Sequence, residues 1–92
     1  IYIGPIGINK TGSGDIRIRT LADSTNLTVN GAIQHSGTGN IQLVADGASS
    51  QLQVNGSGVV HSGMGDTSLE ASDALSISAS IDASANNQNL LI

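Results

Sequence analysis

Aromatic residues are almost missing from this 92-residue chain: it has one Tyr, no Phe and no Trp. A globular core built around large rings is therefore excluded, and any core must be aliphatic. Cysteine is absent, which removes disulfides and thiolate metal sites. Basic residues are scarce as well. Only Lys10, Arg17 and Arg19 are positive, against seven acidic residues, for a net charge of −4. That balance lacks the basic footprint of a nucleic-acid binder. No run approaches the roughly 18 apolar residues of a membrane-spanning helix, so the chain is not expected to be transmembrane. No signal peptide is visible. The chain does not open on Met, and its single Met is Met64, so it is expected to be part of a longer product.

What is present is Ile, Leu, Val and Ala among Gly, Ser, Asn, Asp, Thr and Gln, with 38% apolar and only 11% charged residues. Few aromatics and much Ser and Gly are also marks of disorder. Regular placement of the aliphatics argues for order instead. Thr11-Gly12-Ser13-Gly14-Asp15 recurs as Ser36-Gly37-Thr38-Gly39-Asn40 and as Ser62-Gly63-Met64-Gly65-Asp66, in steps of 25 and 26. Leu27-Thr28-Val29-Asn30-Gly31 recurs as Leu52-Gln53-Val54-Asn55-Gly56 and, shortened, as Leu75-Ser76-Ile77-Ser78, with Ile1-Tyr2-Ile3-Gly4 in the same slot. Ile8, Ile33, Val59 and Ile81 form a third series. Asn89-Leu90-Leu91-Ile92 opens a further copy of the strand that follows the Gly-x-Gly turn.

Each copy reads as three short strands. After the Gly-x-Gly turn, Ile16/Ile18, Ile41/Leu43 and Thr67/Leu69 alternate with polar residues. A polar turn around Asp23, Asp46 or Asp73 leads to Leu27/Val29, Leu52/Val54 or Leu75/Ile77, and a corner leads to the third strand. Period-two alternation bounded by Gly, Asn, Asp and Ser marks half-buried strands. A fixed period of about 25 residues marks a solenoid. The expected fold is all-β: a right-handed parallel β-helix of about 3.5–4 coils of 22–26 residues, three short strands per coil. The expected repeats are 1–11 (partial), 12–36, 37–62, 63–85 and 86–92 (partial), one solenoid segment of a longer array. A β-sandwich shares the turn spacing but not the repeating block; a cross-β amyloid repeat is the other rival. Strand-like ends without polar caps suggest contact with adjacent repeats or with other copies.

Several polar sets recur, and each has a structural and a functional reading. Asp15, Asn40 and Asp66 follow the Gly-x-Gly turns and somewhat resemble a calcium-binding nonapeptide repeat. The spacing is wrong for that motif, so the expectation is a turn residue, with structural calcium as the minor reading and no other cofactor. His35 and His61 occupy equivalent positions, where they could stack, and are expected to be corner residues carried by the repeat. A two-His metal site would lack a third ligand, the matching slots being assigned to Asn9 and Ala83. Asn30 and Asn55 are expected at one corner of successive coils, where their amides could stack in a ladder. Arg17 and Arg19, with Glu70 two coils away, read as a solvated sheet face, or as a weak glycan patch. Asp23, Asp46 and Asp73 are expected in one turn column rather than across a cleft. No catalytic, cofactor-binding or metal residue is therefore assigned, and no enzyme is expected.

Gly14-Asp15-Ile16-Arg17-Ile18, Gly39-Asn40-Ile41-Gln42-Leu43, Leu27 to Gly37 and Leu52 to Gly63 together span nearly the whole chain. Their pattern resembles the degenerate repeats of filamentous-haemagglutinin-like and other giant bacterial β-helical adhesins. The resemblance implies a rigid shaft in a bacterial secreted or cell-surface protein, with glycan or receptor contacts made through the parent. The alternatives are a filament subunit stacking end to end in the manner of a functional amyloid, and a carbohydrate-binding or carbohydrate-active β-helix such as a phage tail spike.

Overall fold

The computed structural model describes residues 2–4, 7–56, 58–82 and 90–92. Twelve strands follow one another in a three-step cycle. The first sheet takes β1 (Tyr2–Ile3), β4 (Leu27–Val29), β7 (Gln51–Val54) and β10 (Ala74–Ile77). The second takes β2 (Ile8–Lys10), β5 (Ile33–His35), β8 (Val59–His61) and β11 (Ile81–Asp82). The third takes β3 (Ile16–Thr20), β6 (Ile41–Ala45), β9 (Thr67–Ala71) and β12 (Leu90–Leu91). Every pairing is parallel and joins a strand to its equivalent one coil away. This is a parallel β-solenoid with three strands per coil.

The register pairs the aliphatic markers counted in the sequence. Ile8 pairs with Ile33 and Ile33 with Val59, then Val59 with Ile81. Leu27 pairs with Leu52 and Leu52 with Leu75. Leu90 sits opposite Thr67, so the tail does open another copy of the strand after the Gly-x-Gly turn. Ile1 and Asn89, also assigned from the sequence, lie outside the described residues.

The core is a set of like-on-like columns. Leu27, Leu52, Val29, Val54, Ile33, Val59, Ile41 and Leu43 are fully buried, and Leu69 nearly so. Each buried aliphatic side chain contributes roughly 1.5–3 kcal/mol, a gain available only where a coil lies on both sides. Ile77, in the same column as Val29 and Val54, accordingly returns to 37% exposure. One inward position breaks the pattern. Thr67 continues the Ile16–Ile41 column and is fully buried, yet its Oγ1 has no hydrogen-bond partner among the described residues. A buried hydroxyl without a partner costs about 1–3 kcal/mol.

Two urea-unfolding measurements check this account. Leu43→Ala, in the central coil, is expected to lose about 2–5 kcal/mol of stability. Thr67→Val keeps the shape and removes the stranded hydroxyl, so it is expected to gain about 1 kcal/mol.

Candidate functional site

Five polar sets were candidates, and side chains from each of them bond between coils. The Gly-x-Gly turns place Asp15, Asn40 and Asp66 in one exposed row just before the third sheet. Asp15 Oδ1 accepts the Asn40 amide N–H at 2.8 Å, and Asn40 Oδ1 accepts that of Asp66 at 2.9 Å. Each side chain thus serves the main chain of the next coil, a bond that Asp and Asn provide equally well.

At the opposite end of the same turn, the second sheet runs into a buried pair of imidazoles. The His35 and His61 rings are parallel within 1°, with centroids 4.8 Å apart. His35 Nε2 donates to Gly14 O at 2.7 Å, and its Nδ1 accepts the Gly37 N–H at 3.1 Å. Both nitrogens are committed, which assigns the neutral Nε2–H tautomer. His61 Nε2 repeats the contact to Gly39 O at 2.6 Å. The second glycine of each turn leaves room for the ring: a Cβ on Gly39 would meet the Gly14 carbonyl and lie 2.8 Å from His35 Nε2. The slot one coil before His35 is Lys10, not Asn9 as the 26-residue step suggested, because Ile8 pairs with Ile33 at a step of 25. The other slot, Ala83, lies outside the described residues.

The third set forms the Asn corner. Asn55 Nδ2 donates to Asn30 Oδ1 at 3.1 Å, and Ser78 Oγ donates to Asn55 Oδ1 at 2.7 Å. The amide ladder that the sequence made possible is present, with a serine as its next rung.

The acidic turn is a correction. Asp23, Asp46 and Asp73 do not share a column. Asp46 N–H bonds to Thr20 O, which puts Asp46 level with Leu21, two positions before Asp23. Asp23 Oδ1 accepts the Ala48 N–H, Asp46 pairs with Arg19, and Asp73 Oδ2 accepts from Gln51 Nε2. The turn spans residues 21–26 and 46–50 in two coils but only 72–73 in the next, so a matching place in the turn is not a matching height. Sequence reading also missed Ser50 and Ser72. Buried Ser50 accepts the Thr25 N–H and donates to Ala22 O; Ser72 does the same one coil on, for Ser50 N–H and Gly47 O.

Arg17 and Arg19 do face outward. Arg17 Nε donates to Gln42 Oε1 at 2.8 Å, and the column Arg19–Val44–Glu70 lies beside it. Val44 points outward yet is only 6% exposed; its flanking Arg and Glu carry aliphatic stems long enough to cover it. A shallow depression of about 160 Å³ separates the Asp15–Asn40–Asp66 row from Arg17, Gln42 and Ser68. A second, of about 230 Å³, lies over Val44.

No family model, curated protein or solved structure matches the chain. Among the described residues, no group of three or more His, Asp or Glu is placed to hold a metal ion. Nor, among the described residues, is there a helix long and apolar enough to cross a membrane.

Two outcomes follow from these geometries. His35→Leu strands Gly14 O and Gly37 N, so it is expected to cost about 2–4 kcal/mol, and a cycle with His61→Leu is expected to show coupling above about 0.5 kcal/mol. Calcium chelators are expected to leave the β circular-dichroism signal and the urea midpoint unchanged, since Asp15 and Asn40 already spend an oxygen on backbone amides.

Proposed function

We propose that the chain is a piece of the non-catalytic shaft of a bacterial secreted or cell-surface fibre protein, with adhesive contacts made elsewhere in the parent. One observation carries this reading. The recurring polar positions bond to the next coil up or down. Asp15, Asn40, His35, Asn55, Ser50 and Ser72 all spend their side chains on coil-to-coil bonds. A catalytic or ligand-binding face would instead hold polar groups in reserve. The resemblance of the repeats to those of giant β-helical adhesins points the same way.

A second reading is favoured by the topology. Among the described residues the outer edge of β10 has no strand beside it, and a strand of another copy fits there as a further coil would. The exposed Ile77 and Ile92 lie at that end. Separate copies stacked end to end would then build a filament. The carbohydrate reading draws less support, because the arginines of the outward face are already engaged with Gln42 and Asp46.

Electron microscopy of the native material, with a denaturing gel of the same sample, separates these readings. Both fibres would be rods with the cross-section of a single coil. A shaft gives a long polypeptide whose rod length grows by about 4.8 Å per coil. A stacked filament gives a polypeptide no longer than these 92 residues. A compact particle of either mass removes the fibre proposal altogether.

A further inference from the structure

The two Asn-Gly dipeptides stand at the same corner of successive coils, and the fold treats them differently. Between Asn30 and β5 lie two residues, Gly31 and Ala32; between Asn55 and β8 lie three, 56–58. The shorter corner is tight. Gly31 is buried, its N–H donates to Ile3 O at 3.2 Å, and a Cβ there would strike the Gly4 carbonyl. The longer corner also packs its glycine closely, a Cβ on Gly56 meeting the Asn30 carbonyl, but it leaves that glycine open to solvent. Gly56 is exposed with φ +68°, and its N–H has no backbone acceptor among the described residues.

We propose that Asn55–Gly56 is a self-modification site, where the side-chain amide is lost by cyclisation, and that the fold holds the identical Asn30–Gly31 inert. The chemistry needs only water. The Gly56 nitrogen gives up its proton to solvent and adds to Asn55 Cγ. The Cγ–Nδ2 bond breaks, and that nitrogen leaves with a proton as ammonia. The resulting cyclic imide is opened by water at either carbonyl, giving aspartate or iso-aspartate. One water is consumed, one ammonia is released, and nothing is oxidised.

The ladder governs the rate. Cyclisation requires the Asn55 amide to leave both of its partners, Asn30 Oδ1 and Ser78 Oγ. Ser78 belongs to the outermost described turn of the first sheet, where side chains are exposed and local opening comes easily. Asn30, by contrast, has Asn55 above it and the nitrogen that would attack it tied to Ile3. Reaction at Asn55 replaces a donor by a carboxylate facing the Asn30 oxygen. It also adds a negative charge to a chain already at −4. In the iso form an extra main-chain carbon enters the corner that sets the height of β8. The modification therefore loosens the joint between the first and second sheets in the middle of the stack.

The test is ageing of the intact protein at mildly alkaline pH, followed by peptide mapping with mass spectrometry that separates aspartate from iso-aspartate. In the folded protein, Asn55 is expected to convert about tenfold or more faster than Asn30, the factor of one hydrogen bond withheld from the attacking nitrogen. In denaturant the two sites are expected to convert alike. Ser78→Ala is expected to speed Asn55 by roughly two- to tenfold with Asn30 unchanged, and Ser78→Thr, which keeps the hydroxyl, to restore the slow rate. Equal rates in the folded protein, a faster Asn30, or an inert Asn55 where the denatured chain reacts would each overturn the assignment. Equal acceleration of both sites by Ser78→Ala would overturn the role given to the ladder.

Discussion

Everything in this molecule depends on one constraint: each residue must lie directly over its equivalent in the neighbouring coil. Parallel pairing fixes that height, because the hydrogen bonds of one coil are completed only by the next. Once the height is fixed, inward positions become columns of like side chains, Leu27 on Leu52 on Leu75 and Ile8 on Ile33 on Val59. This explains how so aromatic-poor a chain forms a core. No single large side chain is needed when small aliphatics repeat at a spacing near van der Waals contact.

The same constraint decides where glycine is required. Turns stack as closely as strands do, so the carbonyl of one turn lies where the next turn's side chain would begin. A Cβ at Gly37, Gly39, Gly47 or Gly63 would run into the backbone of the preceding coil. At Gly39 the need is doubled, since the turn must also admit the imidazole of His35. The Gly-x-Gly signature and the His that precedes it are therefore parts of one packing solution. Gly12 differs: a Cβ there meets nothing within 4 Å, and its φ of +83° supplies the requirement instead.

The sequence revealed the strands better than the turns, for a physical reason. Strand positions are anchored by the register, so Leu27 to Leu52 or Ile33 to Val59 could be counted from aliphatic markers. Turns carry no such anchor. The turn that holds Asp23, Asp46 and Asp73 shrinks from six residues to five and then to two, and residues that look equivalent by distance from a marker land at different heights. One residue of slack likewise misplaced the slot below His35, because the extra residue of the second repeat step sits at 56–58, beyond Asn55. The His stack and the Asn ladder were legible, since both lie next to strand ends. The serine pair Ser50 and Ser72 was not: they are 22 residues apart, and nothing in their immediate neighbours repeats.

Polar ladders also solve a problem that apolar columns cannot. An aliphatic column is indifferent to a slip of two residues, which keeps the same face inward and buries similar side chains. Such a slip would leave Asn55 opposite a non-amide, His61 without its carbonyl, and the amide N–H groups of Asn40 and Asp66 without their side-chain acceptors. Each loss strands a donor or acceptor at about 1–3 kcal/mol where it is buried. The ladders stand at three separate places around the coil: the corner after the first sheet, the end of the second and the entrance to the third. A slip in any sheet is therefore penalised close to where it begins. On this view the recurring Asn, His and Asp/Asn positions hold the coils in register, and the aliphatic columns supply the larger share of the cohesion. That division of labour is what a rigid rod needs. A register that cannot creep makes the stack stiff along its axis, the property on which the proposed shaft would rely.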